Sequence, residues 1–301
     1  MITRLEQIID VLKSNEKKRL VAAYANDAHT IEAVNNAVEK GIVDATLVGD
    51  KETIKKTCAE HNIDVTKFTV VHEPVEIKAA QKAVELIRNG EGDMIMKGLV
   101  STDKYMKAIL NKETGLMPPK AVLSHVTVME NPNYHKLLVC SDVAVIPQPD
   151  LNQKVALTNY VINVARALGI DTPKVALVAA SEQVLPKMEA CVDATIISKM
   201  ADRGQIKNAY VDGPLAIDVA IDKESVEIKK LESKVAGDAD CLVFPNIESG
   251  NVFYKTNTKL AKAELGAFVV GAKCPAILSS RGDSVLTKLY SIALAALVAS
   301  K

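Results

Sequence analysis

The sequence predicts an α/β fold made of two lobes, each with a parallel sheet covered by helices. Short apolar runs alternate with segments of helical periodicity along most of the 301 residues, and this pattern is typical of parallel strands joined by helices. The alternation stops near residue 120, where two apolar runs flank Asn131-Pro132-Asn133, and it resumes afterwards. Because Asn and Pro favour turns, the interruption predicts an antiparallel hairpin between two α/β series.

The two series differ in the elements they predict. The first gives strand 20–24, a helix from about 29, strand 45–48, helix 53–61, strand 68–71, helix 75–88, strand 94–96 and helix 102–110. The hairpin takes up strands 122–129 and 135–140. The second gives helix 151–168, strand 175–179, a helix around 185–200, strand 241–244 and a helix from about 250 to 263.

The lobes are expected to share the chain unequally. No Ser/Gly-rich linker separates the two series, so we expect the chain to cross between lobes through structured elements. The last strand and helix, from residue 276, are expected to return to the first lobe. This assigns residues 1–128 and 276–301 to one lobe and residues 129–275 to the other.

Composition restricts the class of ligand. Lys plus Arg and Asp plus Glu are equal at 37 each. The protein therefore has no net charge that would attract nucleic acid or a membrane surface, and an anionic ligand must be bound by a local group of cations and hydrogen-bond donors. The first residues carry a charge every few positions, and the apolar run 292–299 is too short to span a bilayer. We therefore expect a cytoplasmic protein whose partners are small molecules.

The five cysteines are scattered and form no C-x-x-C pair, which argues against a disulfide framework or a zinc site. We expect no bound metal. Cys140 and Cys241 lie in apolar stretches, where a buried thiol is unreactive. An acyl-cysteine intermediate is left as the lesser alternative.

The strongest candidate site is Ser279-Ser280-Arg281-Gly282-Asp283-Ser284, which runs from an apolar stretch into an amphipathic helix. Free N–H groups at a helix start, two hydroxyls and a guanidinium together favour an anion. Asp283 adds a candidate proton carrier. The alternative is that Asp283 and Ser284 only cap the last helix and that Arg281 is a surface ion.

Two further loops have similar compositions. Residues 97–103 offer Lys97, Gly98, Ser101 and Thr102 where a strand passes into a helix, although capping alone explains the hydroxyls and Lys97 is then solvated. In residues 244–255, Gly250 can bring the backbone close to a ligand, while Asn246 and Asn251 can orient it without adding charge.

Two single residues complete the candidate set, each with a structural alternative. Arg203 can hold a phosphate, or it is a cation at the end of a surface helix. Ser124, beside His125, can supply a hydroxyl, although a lone histidine there is more often structural. Nearby, Asp212-Gly213-Pro214 is consistent with a turn into a helix.

Four ordered motifs together resemble the phosphate acetyl/butyryltransferase family. They are residues 97–102, residues 200–204 with 212–215, residues 244–255 and residues 279–284. The resemblance covers nearly the whole chain and implies a fold similar to the isocitrate and isopropylmalate dehydrogenases, with a cleft between lobes and a homodimer or higher oligomer. It also implies that butyryl-CoA, or a similar short-chain acyl-CoA, reacts reversibly with orthophosphate to give acyl phosphate and CoA.

The resemblance also implies roles for particular residues. Ser280 and Arg281 correspond to the pair at the reaction centre of the family. Its proposed base is an aspartate near the position that Thr287 occupies here, so Asp283 is the nearest available carboxylate in this chain. We expect Gly282 to contribute backbone N–H groups and the reaction to need no cofactor, because CoA is itself substrate or product.

The segment Pro214-Leu215-Ala216 replaces a polar pair of the acetyltransferases. If this segment lines the acyl pocket, it favours a longer acyl chain, since each buried methylene contributes about 0.8 kcal/mol.

Two competing functions are left open. The first is an NAD-dependent dehydrogenase of the same fold, against which the sequence shows no G-x-G-x-x-G after its early strands and no aspartate cluster for a divalent metal. The second is a non-catalytic CoA-binding module.

Overall fold

The protein is a mixed α/β fold, as the sequence predicts. Its strands form a large, mostly parallel sheet, where the sequence predicts a separate sheet for each lobe. The computed structural model describes residues 1–278 and 283–299. The chain forms two compact units, which we call the terminal unit (Leu5–Leu123 and Leu265–Lys301) and the central unit (Met1–Arg4 and Ser124–Glu264). The central unit begins at Ser124, a few residues before the predicted boundary at 128. The chain returns to the terminal unit at Leu265, about ten residues before the predicted boundary at 276, because most of β10 (Glu264–Val270) belongs to the terminal unit.

The terminal unit contains a six-stranded sheet in the order β3-β2-β1-β4-β11-β10. Its strands are β1 (Lys18–Ala23), β2 (Val43–Gly49), β3 (Phe68–His72), β4 (Met94–Lys97), β10 and β11 (Ala276–Ile277). Its helices are α1 (Leu5–Leu12), α2 (Ala28–Glu39), α3 (Lys51–Glu60), α4 (Glu76–Arg88), α5 (Thr102–Leu110) and α11 (Val285–Ala299). All neighbouring strands are parallel except β10 and β11.

The terminal sheet is buried where its strands are apolar. Leu20–Ala23 of β1 and all of β4 are buried, which explains the continuous apolar runs in the sequence. Strand order reverses between β1 and β4, since β2 and β3 lie on one side of β1 and β4 on the other. Ligands of open α/β sheets bind beyond the carboxyl ends of strands at such a reversal.

The central unit contains a five-stranded sheet in the order β5-β6-β9-β7-β8. Its strands are β5 (Ser124–Glu130), β6 (Leu138–Ser141), β7 (Lys174–Val178), β8 (Tyr210–Leu215) and β9 (Cys241–Val243). Its helices are α6 (Leu151–Ala167), α7 (Glu189–Asp202), α8 (Ile217–Ile221), α9 (Lys223–Lys229) and α10 (Ile247–Lys259). Strands β5 and β6 form the predicted antiparallel hairpin, and the other pairs are parallel.

Two elements of the central unit differ from the sequence prediction. Residues Asp212-Gly213-Pro214 belong to strand β8 and do not form a turn into a helix. Helix α10 begins at Ile247, earlier than predicted, because the Asn246 side chain accepts a hydrogen bond from Ser249 N at 3.0 Å and caps the helix. Across residues 1–278 and 283–299, the helices are all too short or too polar to cross a membrane.

Candidate functional site

Strand pairing places the loop 97–102 and Leu278, the last described residue before the motif 279–284, at the same edge of the terminal sheet. Strands β4 and β11 are parallel neighbours, with Met96 opposite Ile277. Lys97, the last residue of β4, is therefore next in register to Leu278, the residue that follows β11. The loop that leaves β4 and the described residue Leu278 thus lie at adjacent strand ends, as expected for a ligand site of an α/β sheet.

Lys97 is buried, in contrast to the solvated alternative considered from the sequence. Its side chain is only 4% exposed. The ammonium donates hydrogen bonds to the carbonyls of Gly98 at 3.1 Å and Val100 at 3.0 Å. These bonds hold the loop that follows β4 in a tight turn, which stabilises the cation inside the terminal unit.

Gly98 is required by packing in this turn. A Cβ atom at this position would lie 2.5 Å from the carbonyl oxygen of Tyr24, which follows β1. The backbone N–H groups of Gly98 and Leu99 donate to the carbonyls of Ala23 and Tyr24, each at 2.9 Å. The absence of a side chain therefore lets the loops after β1 and β4 bond directly to each other.

The start of α5 binds a carboxylate from the protein itself. Ser101 is the N-cap residue, and its backbone N–H donates to the Glu76 carboxylate at 2.7 Å. The Lys104 ammonium binds the same carboxylate. The hydrogen bond from Lys104, and to a lesser extent the one from Ser101, holds the pKa of Glu76 below its ordinary value. Thr102 is exposed at the first position of the helix.

Part of the main motif lies outside the described residues, namely Ser280, Arg281 and Gly282, together with Ser279. Ser284 is described and caps α11, because its hydroxyl accepts a hydrogen bond from Thr287 N at 3.0 Å. Asp283 is half-buried just before that cap. The capping alternative thus holds for Ser284, and the roles of Ser280, Arg281, Gly282 and Asp283 stay predictions.

A second group of predicted residues surrounds Asp142 in the central unit. Asp142 follows β6, is 2% exposed, and accepts a hydrogen bond from the Ser124 hydroxyl at 2.9 Å. The backbone N–H groups of His125, Ala144, Val145 and Ile146 also donate to its carboxylate, at 2.7 to 3.2 Å. Ser124 is fully buried, so its hydroxyl fixes the loop after β6 through this carboxylate.

Helix α10 holds the same loop from the other side. The Asn251 side-chain amide donates to the Val143 carbonyl at 3.0 Å. Gly250 packs so closely that an added Cβ would lie 2.2 Å from the carbonyl oxygen of Asp142. Gly250, Asn251 and Ser124 therefore meet around one loop at the carboxyl edge of the central sheet, where β6 and β9 are parallel neighbours. Asn246 caps α10 and contributes to this group only through the helix.

Arg203 is not brought to this group within the central unit. It is the exposed C-cap residue of α7. Helix α7 connects parallel strands β7 and β8, so its last turn lies at the opposite edge of the sheet from the carboxyl ends. The position matches the helix-end alternative, because a cation at a helix C-terminus is favourable.

The expectation for the apolar segment 214–216 is wrong in one respect. Leu215 is only 1% exposed and belongs to the buried cluster that includes Val219 and Leu242. A side chain that packs in the core of the central unit does not form the wall of an open acyl pocket.

The cysteines are all buried, as the sequence predicts. Burial raises the pKa of Cys140 to about 12 and raises that of Cys241 well above its ordinary value. Both thiols stay protonated near neutral pH, which disfavours a covalent acyl-cysteine intermediate on them. The described part of the chain also contains no group of three or more His, Cys, Asp or Glu side chains suited to a metal.

Sequence reasoning missed Glu76 and Asp142. Glu76 is 25 positions from Ser101 and Asp142 is 18 positions from Ser124, so no local pattern connects the partners. For Asp142 a weak signal was present, since a Ser-Asp pair directly after a predicted strand is typical of a side-chain-stabilised turn.

Comparison with known proteins identifies the family of this chain. The family model "phosphate acetyl/butaryl transferase" matches residues 4–75 and 65–296. The chain is 46% identical to the phosphate butyryltransferase of Clostridium acetobutylicum over 99% of both chains. It is 41% identical to the phosphate acetyltransferase of Thermotoga maritima over 98% of this chain and 99% of that protein.

The fold also matches a solved structure from the same group of enzymes. The crystal structure of a branched-chain phosphotransacylase from Enterococcus faecalis superposes with a TM-score of 0.82 at 30% identity. The alignment covers 94% of this chain and 99% of that one. Sequence motifs, fold and full-length similarity lead to one conclusion: this chain belongs to the phosphate acetyl/butaryl transferase family.

Proposed function

We propose that this protein transfers a butyryl or similar short-chain acyl group between CoA and orthophosphate, reversibly. Full-length similarity to a phosphate butyryltransferase carries the proposal. The pairing of β4 with β11 supports its proposed location, because Lys97 and Leu278 lie at neighbouring strand ends.

The reaction needs positioning more than it needs a strong base. Orthophosphate is largely a dianion near neutral pH, and Arg281 is proposed to hold it against the thioester. A phosphate oxygen attacks the carbonyl carbon, and the carbonyl oxygen becomes an oxyanion. The Ser280 hydroxyl and backbone N–H groups near Gly282 are proposed to stabilise that oxyanion.

Collapse of the tetrahedral adduct breaks the carbon–sulfur bond. CoA leaves as a thiolate. The attacking hydrogen phosphate loses one proton and the thiolate gains one, so the reaction consumes and releases no net proton. A thiol with a pKa of about 8.5 leaves with modest acid assistance. Asp283 is proposed to carry the proton in both directions. No cofactor takes part in these steps, since CoA is substrate or product.

The described groups of both units are proposed to support substrate binding. Lys97, Gly98, Ser101 and Thr102 would shape the phosphate side, and Ser124, Asn246, Gly250 and Asn251 would hold the loop after β6 for the acyl-CoA. The role of Arg203 at a phosphate is retained only as a proposal to test by substitution. The dehydrogenase-like arrangement of two lobes with an interlobe cleft is likewise a proposal, supported by the division into two α/β units.

One assay separates this function from its alternatives. Free thiol is followed after mixing the protein with butyryl-CoA, with and without phosphate. Phosphate-dependent release supports acyl transfer, whereas binding of acyl-CoA without release supports a CoA-binding module. NAD-linked activity with added magnesium would instead support a dehydrogenase.

Acyl-chain specificity needs a separate comparison, because a 41% identical relative is named an acetyltransferase. We propose that kcat/KM is higher for butyryl-CoA than for acetyl-CoA. Equal kcat/KM values for the two substrates would contradict the proposed preference for the longer acyl chain and would not affect the family assignment.

The expected cellular setting is also proposed. The protein is expected to act in the cytoplasm as a homodimer or higher oligomer, without nucleic acid or membrane partners, in line with its balanced charge. Sedimentation velocity of the purified chain would measure the oligomeric state, and a monomer at micromolar concentration would contradict the oligomer.

A further inference from the structure

Asp27 carries a buried carboxylate oxygen that lacks a hydrogen-bond donor. The residue is the N-cap of α2, and its Oδ1 atom accepts a hydrogen bond from Thr30 N at 3.0 Å. Its Oδ2 atom is buried and receives no hydrogen bond from residues 1–278 or 283–299. An ionised carboxylate can accept at both oxygens, and a buried oxygen left unpaired costs free energy. A ligand that supplies a donor would remove that cost.

Helix capping does not explain this oxygen. Four other aspartates cap helices of the chain, and each accepts a hydrogen bond from a backbone N–H two or three positions further on: Asp50, Asp64, Asp150 and Asp222. None of their oxygens is both buried and unpaired in the part of the chain that the structure describes. A cap thus uses one oxygen of Asp27 and leaves the burial of the second without a structural purpose.

Asp27 lies at the strand-order reversal of the terminal sheet. Its loop follows β1, and the loop 97–102 follows the parallel neighbour β4 on the other side of the reversal. Backbone N–H groups of Gly98 and Leu99 join the two loops, with hydrogen bonds of 2.9 Å each. Ligands of open α/β sheets bind at this edge. Asp27 as a whole is half-buried, so a small ligand at the edge can approach its carboxylate.

We propose that Asp27 accepts a hydrogen bond from the P–OH group of hydrogen phosphate and so selects phosphate over sulfate. This inference rests on the proposed function, which assigns the phosphate side to the loop 97–102. Near neutral pH the two anions have the same charge and nearly the same shape, but only hydrogen phosphate carries a proton to donate. A carboxylate oxygen accepts that proton in a hydrogen bond, whereas it repels an unprotonated sulfate oxygen.

The same hydrogen bond positions the nucleophile. With its protonated oxygen held by Asp27, hydrogen phosphate presents an unprotonated oxygen to the thioester. The positive start of α2, a helix of 12 residues, offsets part of the repulsion between the carboxylate and the dianion. No covalent bond forms or breaks at Asp27, which is a positioning and specificity residue. Binding must shift the atoms that cover Oδ2 in the free chain.

Calorimetric titrations with inorganic phosphate and with sulfate measure this selectivity. The wild type should bind phosphate on the order of 10- to 100-fold more tightly than sulfate, as expected for one hydrogen bond to a charged group. Asp27→Asn keeps an oxygen for Thr30 N and caps as well as aspartate, but it can offer the anion a donor in place of an acceptor. The ratio of the two Kd values should then fall below about threefold. The same ratio in both proteins would mean that ordered water only occupies this position, and it would overturn the proposal.

Asp50→Asn is the matched control. Asp50 caps α3 after the neighbouring strand β2, and its Oδ1 atom accepts from both the backbone N–H and the hydroxyl of Thr53. This variant should keep the selectivity of the wild type, and an equal loss in both variants would reject a specific role of Asp27. Asp27→Ser also retains a good cap without a second oxygen. It should lose the selectivity as well, and it serves as the test if Asp27→Asn does not fold.

CoA also offers N–H and O–H donors, so a third titration distinguishes the two sources. The Kd for CoA should change by less than about threefold in Asp27→Asn, well below the effect of one hydrogen bond to a charged group. A larger change for CoA, with the selectivity between phosphate and sulfate unaltered, would assign the donor to CoA and overturn the proposal.

Kinetics separate this inference from the proposed function. In an active enzyme, Asp27→Asn should lower the inhibition constant of sulfate relative to the KM for phosphate and leave the KM for acyl-CoA unchanged. Phosphate-dependent thiol release by the wild type, with an unaltered ratio of these constants in the variant, would reject the role of Asp27 alone. Selectivity in binding that depends on Asp27, without any phosphate-dependent thiol release, would reject the proposed function and leave the Asp27 site.

Discussion

The Glu76 carboxylate accepts a hydrogen bond from the backbone N–H of Ser101 at 2.7 Å. A side chain from the start of α4 thus occupies the N-terminus of α5, the helix that follows the Lys97 loop. The start of α5 therefore has an anion bound to it already, and that anion is the Glu76 carboxylate of the protein itself. The contact fixes the entry to α5, and the loop 97–101 is held between this anchor and the end of β4.

Substitution of Glu76 by alanine should loosen this anchor. We expect a loss of about 1.5–3 kcal/mol in unfolding free energy, because a hydrogen bond to a charged group is removed from a partly buried backbone donor. Lys104→Met is the matched control, since it removes only the partly exposed ion pair and should cost at most about 1 kcal/mol. Urea denaturation of both variants measures the difference, and equal losses would contradict the anchoring role of Ser101 N–H.

The same contact predicts a pH dependence. Bonds from Lys104 and Ser101 lower the pKa of Glu76 from 4.5 in the folded state, so ionisation of this carboxylate stabilises the fold. That contribution is complete above about pH 4.5 and is lost as the pH falls through the folded-state value. The stability difference between wild type and Glu76→Gln should therefore shrink on acidification, as measured by urea unfolding at several pH values. A difference that grows toward acid would contradict this sign.

Asp142 should be among the most sensitive positions of the central unit. Its buried carboxylate accepts bonds from the Ser124 hydroxyl and four backbone N–H groups. Asp142→Ala leaves these donors unpaired, and each buried unpaired donor costs about 1–3 kcal/mol. We expect a loss of more than about 3 kcal/mol, or failure to fold, whereas Ser124→Ala should cost about 1 kcal/mol. Thermal and urea unfolding measure both variants, and a fully stable Asp142→Ala would refute the role of this carboxylate.

Gly250→Ala should disturb the loop after β6 through crowding alone. The added Cβ would lie 2.2 Å from the Asp142 carbonyl oxygen, so helix α10 or the loop must move. Overpacking of this kind costs about 1–3 kcal/mol. Val252→Ala, at a 65% exposed position of the same helix, is the control and should be nearly neutral. Comparable unfolding midpoints for the two variants would show that the contact is not tight.

The Lys154–Asp193 pair should behave as a buried ion pair of α6 and α7. Its two charged groups are 2.6 Å apart, with 5% and 10% of their side chains exposed. Lys154→Met or Asp193→Leu alone leaves one buried charge and should cost about 3–5 kcal/mol. The double variant should recover much of that loss. A double-mutant cycle by urea denaturation measures the coupling, and strictly additive losses would contradict it.

The sequence predicted the fold well where local signals were strong. Apolar runs such as Leu20–Ala23 and Met94–Met96 located their strands. Pro214 misled the prediction, because a Gly-Pro pair usually marks a turn and here lies in a strand.

Site details depended on contacts that no local pattern contains. Glu76 reaches Ser101 across 25 positions, and the burial of Lys97 follows only from tertiary packing. The residues that hold the loop 97–102 in place could therefore be found only in the structure.

The most direct test of acyl transfer is phosphorus NMR of the product formed from butyryl-CoA and orthophosphate. The account predicts butyryl phosphate in an amount equal to the thiol released, and a rate at least about 100-fold lower for Arg281→Ala, as for loss of one group that stabilises transition-state charge. Thiol release without an acyl phosphate signal, or an undiminished rate in Arg281→Ala, would contradict it.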